Sequence, residues 1–395
     1  MKVLFACGGT AGHINPALAV ATELRRRVPD CEILFVGNPD GMEATLVPRA
    51  GFRFAPYRSM GIQRRFSWNN IKYNAKSVCL LVTARSRAKR ILRDFAPDVV
   101  MGTGSYISAP ILLAAAALRI PCMTHEANAL PGVSNRMVAQ KVDKFLLAVP
   151  EAEKHLPQRQ DYIVTGNPVR PEILAADRAA ARARLGVRPG QLCLLSFGGS
   201  LGAQTINEAV AALMAWHVPE GKLHHIHATG RYGVELLPRL LREKGVAYEN
   251  NPNLDIREYI HDMPDCLAAA DLVIARAGAI TLAELTAVGR ASVLIPSPNV
   301  AENHQYHNAM VLSGHHAAVV IEEKDLTGEK LVAAVKEMTA DPEKLREIGL
   351  AAKALGVPNA CGHITDELLD LYKTHKYRGE RCRLCADCGS QEETD

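Results

Sequence analysis

Three glycine-rich stretches, each at the end of an apolar run, are the first places where chemistry could occur. Gly8-Gly9-Thr10-Ala11-Gly12 follows Lys2–Ala6, Gly102-Thr103-Gly104-Ser105 follows Asp98–Met101, and Gly198-Gly199-Ser200-Leu201-Gly202 follows Leu192–Phe197. The first and third share the pattern G-G-[ST]-x-G at an offset of 190 residues. Glycine lets backbone approach a ligand closely, and a strand-to-helix turn aims N–H groups and a helix N-terminus at it. That suits phosphate, above all a diphosphate. The dinucleotide pattern G-x-G-x-x-G follows none of the strands, and G-x-x-x-x-G-K-[ST] is absent. Both absences argue against a nicotinamide enzyme and against a kinase or ATPase.

Polar residues gather at the same strand ends. His13 closes the first loop, and His125-Glu126-Ala127-Asn128 ends the Cys122 run. Arg276 to Glu284 leads from the Leu272 run into a helix, and Glu302-Asn303-His304-Gln305-Tyr306 follows the Ser292 run. A histidine titrates near neutral pH and suits proton transfer; His13 is the natural base and Glu126 its rival. No Asp-x-Asp pair lies near these clusters to hold a metal–diphosphate. Helix N-termini and neutral donors would then stabilise a leaving diphosphate.

The elements that must position these groups follow from the alternation of apolar runs with helical patterns. One series of strands is expected at Lys2–Ala6, Glu32–Val36, Asp98–Met101, Cys122–His125 and Lys144–Ala148. A second is expected at Leu192–Phe197, His224–Ala228, Leu254–Glu258, Leu272–Ala275, Ser292–Ile295 and Ala318–Ile321. Helices are expected between them, among others at Pro16–Arg27 and Thr205–Trp216. Such alternation predicts an α/β protein with two parallel sheets covered by helices on both faces. The breaker-rich Gly166-Asn167-Pro168-Val169-Arg170-Pro171 is the expected linker. The expected domains are 1–165, completed by a helix near 358–374, and 166–357, with an acidic, disordered, cysteine-containing tail at 375–395. A chain of 395 residues fits two such domains at roughly 150 residues or more each.

With 22% charged and 48% hydrophobic residues the composition is that of a globular protein, neither disordered nor fibrous. No apolar run reaches the ~18–20 residues of a transmembrane helix. The apolar N-terminus is short and ends in glycines, which predicts a first strand rather than a signal peptide, and hence a cytoplasmic protein. The net charge of +4 conceals an excess of +11 in residues 1–150. Between Arg58 and Arg93 there are ten basic residues and no acidic one, which calls for an anionic partner. Of ten cysteines, seven are scattered singly, and buried thiols are expected of those in strands. Cys382, Cys385 and Cys388 have metal-like spacing without a local fourth ligand, so free thiols are the stronger expectation.

Taken in order, Gly8–Pro16, Gly102–Ser108, His125–Asn128, Gly166–Arg170, Gly198–Ala203, Arg276–Glu284 and His304-Gln305 form an ordered set that resembles the MurG family of peptidoglycan glycosyltransferases over residues 1–372. The resemblance implies a GT-B architecture, two Rossmann-like parallel-sheet domains facing a cleft. It implies inverting transfer of N-acetylglucosamine (GlcNAc) from UDP-GlcNAc to the muramyl C4 hydroxyl of lipid I, making lipid II. His13, or else Glu126, would be the catalytic base. Thr10, Ala11, Gly12 and Asn128 would face the cleft from the first domain. In the second, Ser200 and Arg170 would meet the diphosphate, Ile260 the uracil, Ala279 and Ile280 phosphate and sugar, Glu284 the ribose, and His304 and Gln305 the GlcNAc hydroxyls. No cofactor beyond the donor UDP-GlcNAc would be required.

The resemblance also gives the basic stretch a partner. Arg64, Arg65, Lys72 and Lys76, interleaved with Phe66 and Trp68, would dock the protein peripherally on the anionic cytoplasmic face of the bacterial plasma membrane. Other cell-wall synthesis proteins are further expected partners; nucleic acid is not. Two alternatives share the architecture: a related GT-B lipid glycosyltransferase or UDP-GlcNAc 2-epimerase, and a non-catalytic UDP-sugar-binding scaffold. Intact His13, Glu284 and Gln305 count against the scaffold.

Overall fold

The computed structural model describes residues 1–59, 83–159, 161–199 and 201–389, the last helix beyond residue 376 by its backbone alone. Arg64, Arg65, Phe66, Trp68, Lys72, Lys76 and Ser200 therefore lie outside the described residues, as do the side chains of Cys382, Cys385 and Cys388. The chain forms two compact units. The first comprises Met1–Ala127, Pro131–Pro168 and the chain from Asn359 onward; the second comprises Asn128–Leu130 and Val169–Pro358.

The first unit carries strands β1 (Lys2–Ala6), β2 (Glu32–Gly37), β3 (Arg53–Pro56), β4 (Val99–Gly102), β5 (Cys122–Glu126), β6 (Lys144–Leu147) and β7 (Tyr162–Val164). Its helices are α1 (Ala11–Arg27), α2 (Glu43–Arg49), α3 (83–95), α4 (Ser105–Ala117) and α5 (Val133–Val138). The sheet runs β3-β2-β1-β4-β5-β6-β7, and every pairing is parallel. Successive strand residues point to opposite faces. Leu4 and Ala6 join Leu34, Val36 and Val100 in one core, while Val3 and Phe5 join Ile33, Phe35 and Met101 in another. Burial on both faces explains why these strands are continuous apolar runs.

The second unit repeats the plan. Its helices α6 (Pro171–Ala175) and α7 (Arg178–Arg184) precede β8 (Leu192–Phe197), α8 (Gln204–His217), β9 (Leu223–Ala228), α9 (Leu236–Glu243), β10 (Leu254–Arg257) and α10 (Met263–Ala269). Then come β11 (Leu272–Ala275), α11 (Ala279–Val288), β12 (Ala291–Leu294), α12 (His304–Gly314), β13 (Val319–Val320), α13 (Gly328–Ala340) and α14 (Pro342–Leu355). The sheet order is β10-β9-β8-β11-β12-β13, again with parallel pairings.

Both sheets reverse their winding beside their first strand, between β1 and β4 and between β8 and β11. Ligands of open parallel sheets bind at that reversal, beyond the C-terminal strand ends. The two G-G-[ST]-x-G loops follow β1 and β8, so the topology puts each at a binding position. Gly102–Ser105 and Arg276–Ala279 follow the strands just across each reversal.

The last helix, α15 (Ala360–Gly389), returns to the first unit. Ile364, Leu368 and Leu371 recur at helical spacing and enter the core that holds Val3 and Phe5. Lys144 Nζ meets Glu367 and Asp370, and Arg27 meets Asp366. The helix continues through the stretch from residue 375 that was expected to be a disordered tail. No proline interrupts the stretch to Gly389.

Three local expectations differ. Helix α1 starts at Ala11 rather than Pro16, with Pro16 inside it; this brings His13 into the first helical turn. Strands β3 and β7 were not anticipated, because Arg-Phe-Ala-Pro lacks an apolar pattern and Tyr-Ile-Val is only three residues long.

Candidate active site

In the first unit, β1 is followed by Cys7, Gly8 and Gly9, and Thr10 is the N-cap of α1. His13, half-buried on the first turn, is held from two directions. Its Nδ1 lies 2.8 Å from the Thr103 carbonyl, and Thr103 Oγ1 donates to the His13 carbonyl at 2.6 Å. A carbonyl can only accept, so Nδ1 carries the proton and Nε2 is the basic nitrogen of the neutral ring. Gly104, at φ +89, permits this approach: a Cβ there would sit 3.0 Å from His13 Nδ1.

The polar cluster after β5 points inward. Glu126 is buried, and its Oε2 accepts from Gly132 N at 2.9 Å and Asn135 Nδ2 at 2.8 Å. His125 is fully buried, its Nε2 donating to the Gly166 carbonyl at 2.9 Å, and burial lowers its pKa. Asn128 belongs with the second unit, where its Oδ1 accepts from Asn308 Nδ2 at 3.1 Å.

In the second unit, Gly198 to Ala203 link β8 to α8 in a turn closed by Gly202 N donating to the Gly199 carbonyl at 3.0 Å. A Cβ at Gly198 would lie 2.6 Å from Ala203 N, so only glycine fits. Across the sheet reversal, Gly278 caps α11, and Ala279 and Ile280 form its first turn. One turn further, Glu284 is buried with its Oε1 at 2.8 Å from Arg170 Nε, while Arg170 remains half-exposed. Burial raises the Glu284 pKa and the guanidinium opposes that rise. Thus two residues the sequence assigned to different parts of a nucleotide form one pair.

Beyond β12, Glu302 and Asn303 both adopt left-handed backbone, at φ 53 and φ 52. Strain of this kind at non-glycine residues concentrates at functional sites. It delivers His304 and Gln305 to the start of α12. Gln305 Oε1 accepts from Ser297 N at 2.9 Å, which orients its amide NH2 as a donor. His304 Nδ1 donates to the Ala301 carbonyl at 2.9 Å. Ile260 is buried between exposed Tyr259 and His261, whose rings lie 4.9 Å apart.

Two features escaped sequence inspection. Glu43, wholly buried, accepts from Gly9 N at 3.2 Å and Asn38 N at 2.9 Å, so a carboxylate underlies the first glycine loop. Three histidines, His217, His225 and His227, are buried in the second unit and linked by hydrogen bonds. Histidines in a strand, His224-His225-Ile226-His227, were the available signal. Cys7, Cys122, Cys193 and Cys266 are buried free thiols, the last three pushed up to about 12 by burial. Among the described residues, no group of three or more His, Cys, Asp or Glu could hold a metal ion, and no helix is long and apolar enough to cross a membrane.

Residues 3–147 match the glycosyltransferase family 28 N-terminal domain and residues 193–362 match its C-terminal domain. A protein of Acetivibrio thermocellus named UDP-N-acetylglucosamine–N-acetylmuramyl-(pentapeptide) pyrophosphoryl-undecaprenol N-acetylglucosamine transferase is 40% identical over 373 residues, 94% of this chain and 99% of the relative. A protein of the same name from Desulfitobacterium hafniense is 42% identical over 370 residues, with the same two coverages. The crystal structure of Acinetobacter baumannii MurG superposes with a TM-score of 0.73 at 28% identity, covering 93% of this chain and 99% of that one. Together with two Rossmann-like parallel-sheet units, the two family 28 domains make this chain a glycosyltransferase of the GT-B class. Within that class, the chain belongs to the MurG family.

Proposed function

We propose that the chain transfers GlcNAc from UDP-GlcNAc to the muramyl C4 hydroxyl of lipid I, forming lipid II for peptidoglycan synthesis. The observation that carries this is identity of about 40% over nearly the full length of relatives named for that transfer.

The donor belongs to the second unit. The two glycine loops look alike in sequence, but the first has its Gly9 amide on the Glu43 carboxylate. That amide is thereby taken, and the carboxyl oxygens beneath the loop offer a diphosphate acceptors rather than donors. The second loop leads into α8, and α11 begins across the reversal, so two helix N-termini and their N–H groups favour the diphosphate there. Arg170 adds positive charge, Glu284 accepts from ribose hydroxyls, Ile260 offers backbone to uracil, and Gln305 with His304 meets the sugar. Ser200, the residue after Gly199 in sequence, is assigned to the diphosphate by the resemblance alone.

The acceptor belongs to the first unit, where Thr10, Ala11 and Gly12 flank His13. As the C4 oxygen attacks the anomeric carbon, its proton passes to His13 Nε2 and the anomeric C–O bond breaks. The electron pair leaves with UDP, and attack opposite the leaving group inverts the centre. The Thr103 carbonyl stabilises the imidazolium by accepting from Nδ1–H. His13 is preferred to Glu126, whose Oε2 already accepts two inward-facing donors. No cofactor is required in this scheme, because helix N-termini and Arg170 balance the leaving charge.

Peripheral docking on the anionic cytoplasmic face is part of the same proposal, supported by ten cations without an acid between Arg58 and Arg93. The test is turnover of UDP-GlcNAc with a lipid I analogue in EDTA. Formation of the disaccharide product supports the proposal, and release of UDP without the disaccharide refutes it.

A further inference from the structure

On the α8 side of the second sheet, inward positions are filled by residues such as Leu194, Ile206 and Val210. Among them runs a row of buried polar side chains: His217, His225, Ser196, His227 and Asn207. With the three rings neutral, as their burial favours, the hydrogen bonds have a single possible direction. Asn207 Nδ2 donates to the Thr229 carbonyl at 3.0 Å, since two oxygens would repel there. Asn207 Oδ1 is thereby left to accept from His227 Nε2 at 2.9 Å. His227 then presents Nδ1 as an acceptor, and Ser196 Oγ donates to it at 2.6 Å. With its one proton committed, Ser196 Oγ accepts from His225 Nε2 at 2.7 Å. His225 Nδ1 in turn accepts from His217 Nε2 at 3.0 Å. For neutral rings, one backbone carbonyl thus dictates three tautomers, each protonated on Nε2.

That carbonyl abuts the second glycine loop. A Cβ on Gly202 would lie 2.2 Å from the Thr229 oxygen, and one on Gly230 would lie 2.0 Å from Gly202 N. One on Gly233 would lie 2.2 Å from Asn207 Nδ2. Backbone rests on backbone there, with no side chain between to absorb a displacement. Wherever Asn207 holds Thr229, the loop from Gly198 to Gly202 must follow. A fully satisfied buried network is rigid, whereas an interrupted one leaves unpaired groups that force rearrangement.

We infer that the chain from His217 to Thr229 positions the second glycine loop for the diphosphate of a nucleoside-diphosphate sugar. This rests on the donor reading of that loop given above. None of the five side chains need touch the ligand; they act through the Thr229–Gly230 backbone. Leucine-like residues would fill the same space, but they would not aim a donor at the one carbonyl that supports the loop.

The experiment has two arms, both on the full chain. Nitrogen-15 correlation spectra at neutral pH should show His217, His225 and His227 as Nε2–H tautomers; an Nδ1–H tautomer at His225 or His227 overturns the inference. Calorimetry with UDP, alongside steady-state kinetics, compares Ser196→Ala with wild type. Loss of the hydroxyl should weaken UDP binding roughly two- to thirty-fold, the range for residues that act on a site without touching its ligand. The KM for the acceptor should not change, and Ser196→Thr, which keeps the hydroxyl, should restore binding. Should Ser196→Ala fail to fold, His217→Phe cuts the chain at its far end and should weaken UDP binding in the same direction. Wild type that binds UDP while a folded variant binds it equally well overturns the inference alone. Wild type that does not bind UDP overturns the donor reading as well.

Discussion

Arg170 Nε lies 2.8 Å from Glu284 Oε1, joining the N-cap residue of α6 to a buried carboxylate on α11. Burial alone would favour the neutral acid at Glu284; the guanidinium restores part of its charge. The pair thus sets burial, which favours the neutral acid, against a guanidinium, which favours the carboxylate proposed above to accept from the ribose hydroxyls.

Glu284→Gln should weaken UDP binding by roughly 1.5–3 kcal/mol, the size of a lost charge-assisted hydrogen bond. Arg170→Met should raise the Glu284 pKa further, since it removes the group that opposes burial. A raised carboxyl pKa means protonation at higher pH. UDP affinity should thus fall at a higher pH in Arg170→Met than in wild type as the solution is acidified. Calorimetry across the acid range checks both, and identical pH profiles would remove Arg170 from this role.

His13→Ala should lower kcat by ~10²-fold or more with little change in UDP affinity, as expected when only proton transfer is lost. Gly104→Ala should act in the same direction without touching the imidazole's chemistry. Its new Cβ would press on His13 Nδ1, 3.0 Å away, and the backbone at φ +89 disfavours alanine. Parallel kinetics of the two variants test this; a wild-type kcat for His13→Ala would leave His13 only a loop-shaping role.

Acid should destabilise the second unit through its histidines. Burial lowers His217 from 6.5 to about 4 and His227 to about 3. The unfolded chain then binds more protons than the folded one below pH ~6.5. Their stabilising contribution is complete above that pH and is lost as pH falls toward the folded values. Each group contributes up to about 1.4 kcal/mol per pH unit within its window. Urea unfolding at successive pH values should show this slope, and His217→Phe should flatten it; an unchanged slope would assign the acid sensitivity to other groups.

Vesicle co-sedimentation tests the membrane proposal. The protein should pellet with phosphatidylglycerol vesicles at low salt, far less at high salt, and far less with neutral lipid. Replacing Arg64, Arg65, Lys72 and Lys76 by Glu should release it while UDP binding survives. Equal pelleting by the quadruple variant would move the docking surface elsewhere.

The alternation of apolar runs with glycine turns determined the architecture by itself. A parallel strand buried on both faces has to be apolar throughout, so Leu192–Phe197 and Leu272–Ala275 were legible as strands without any partner in view. The short edge strands Arg53–Pro56 and Tyr162–Val164 were not, because an edge demands less burial and leaves a weaker pattern. The loops and strand-end residues were legible as types, but their partners were not. That Glu43 sits under Gly9, that Glu126 faces inward while Thr103 orients His13, and that Ser196 joins His225 to His227 are contacts between residues from 6 to 90 positions apart. Composition and spacing describe what a residue can donate or accept. Only the packing of strands and helices decides which donor meets which acceptor, and so which of two look-alike glycine loops has a carboxylate beneath it and which rests on a chain of neutral histidines.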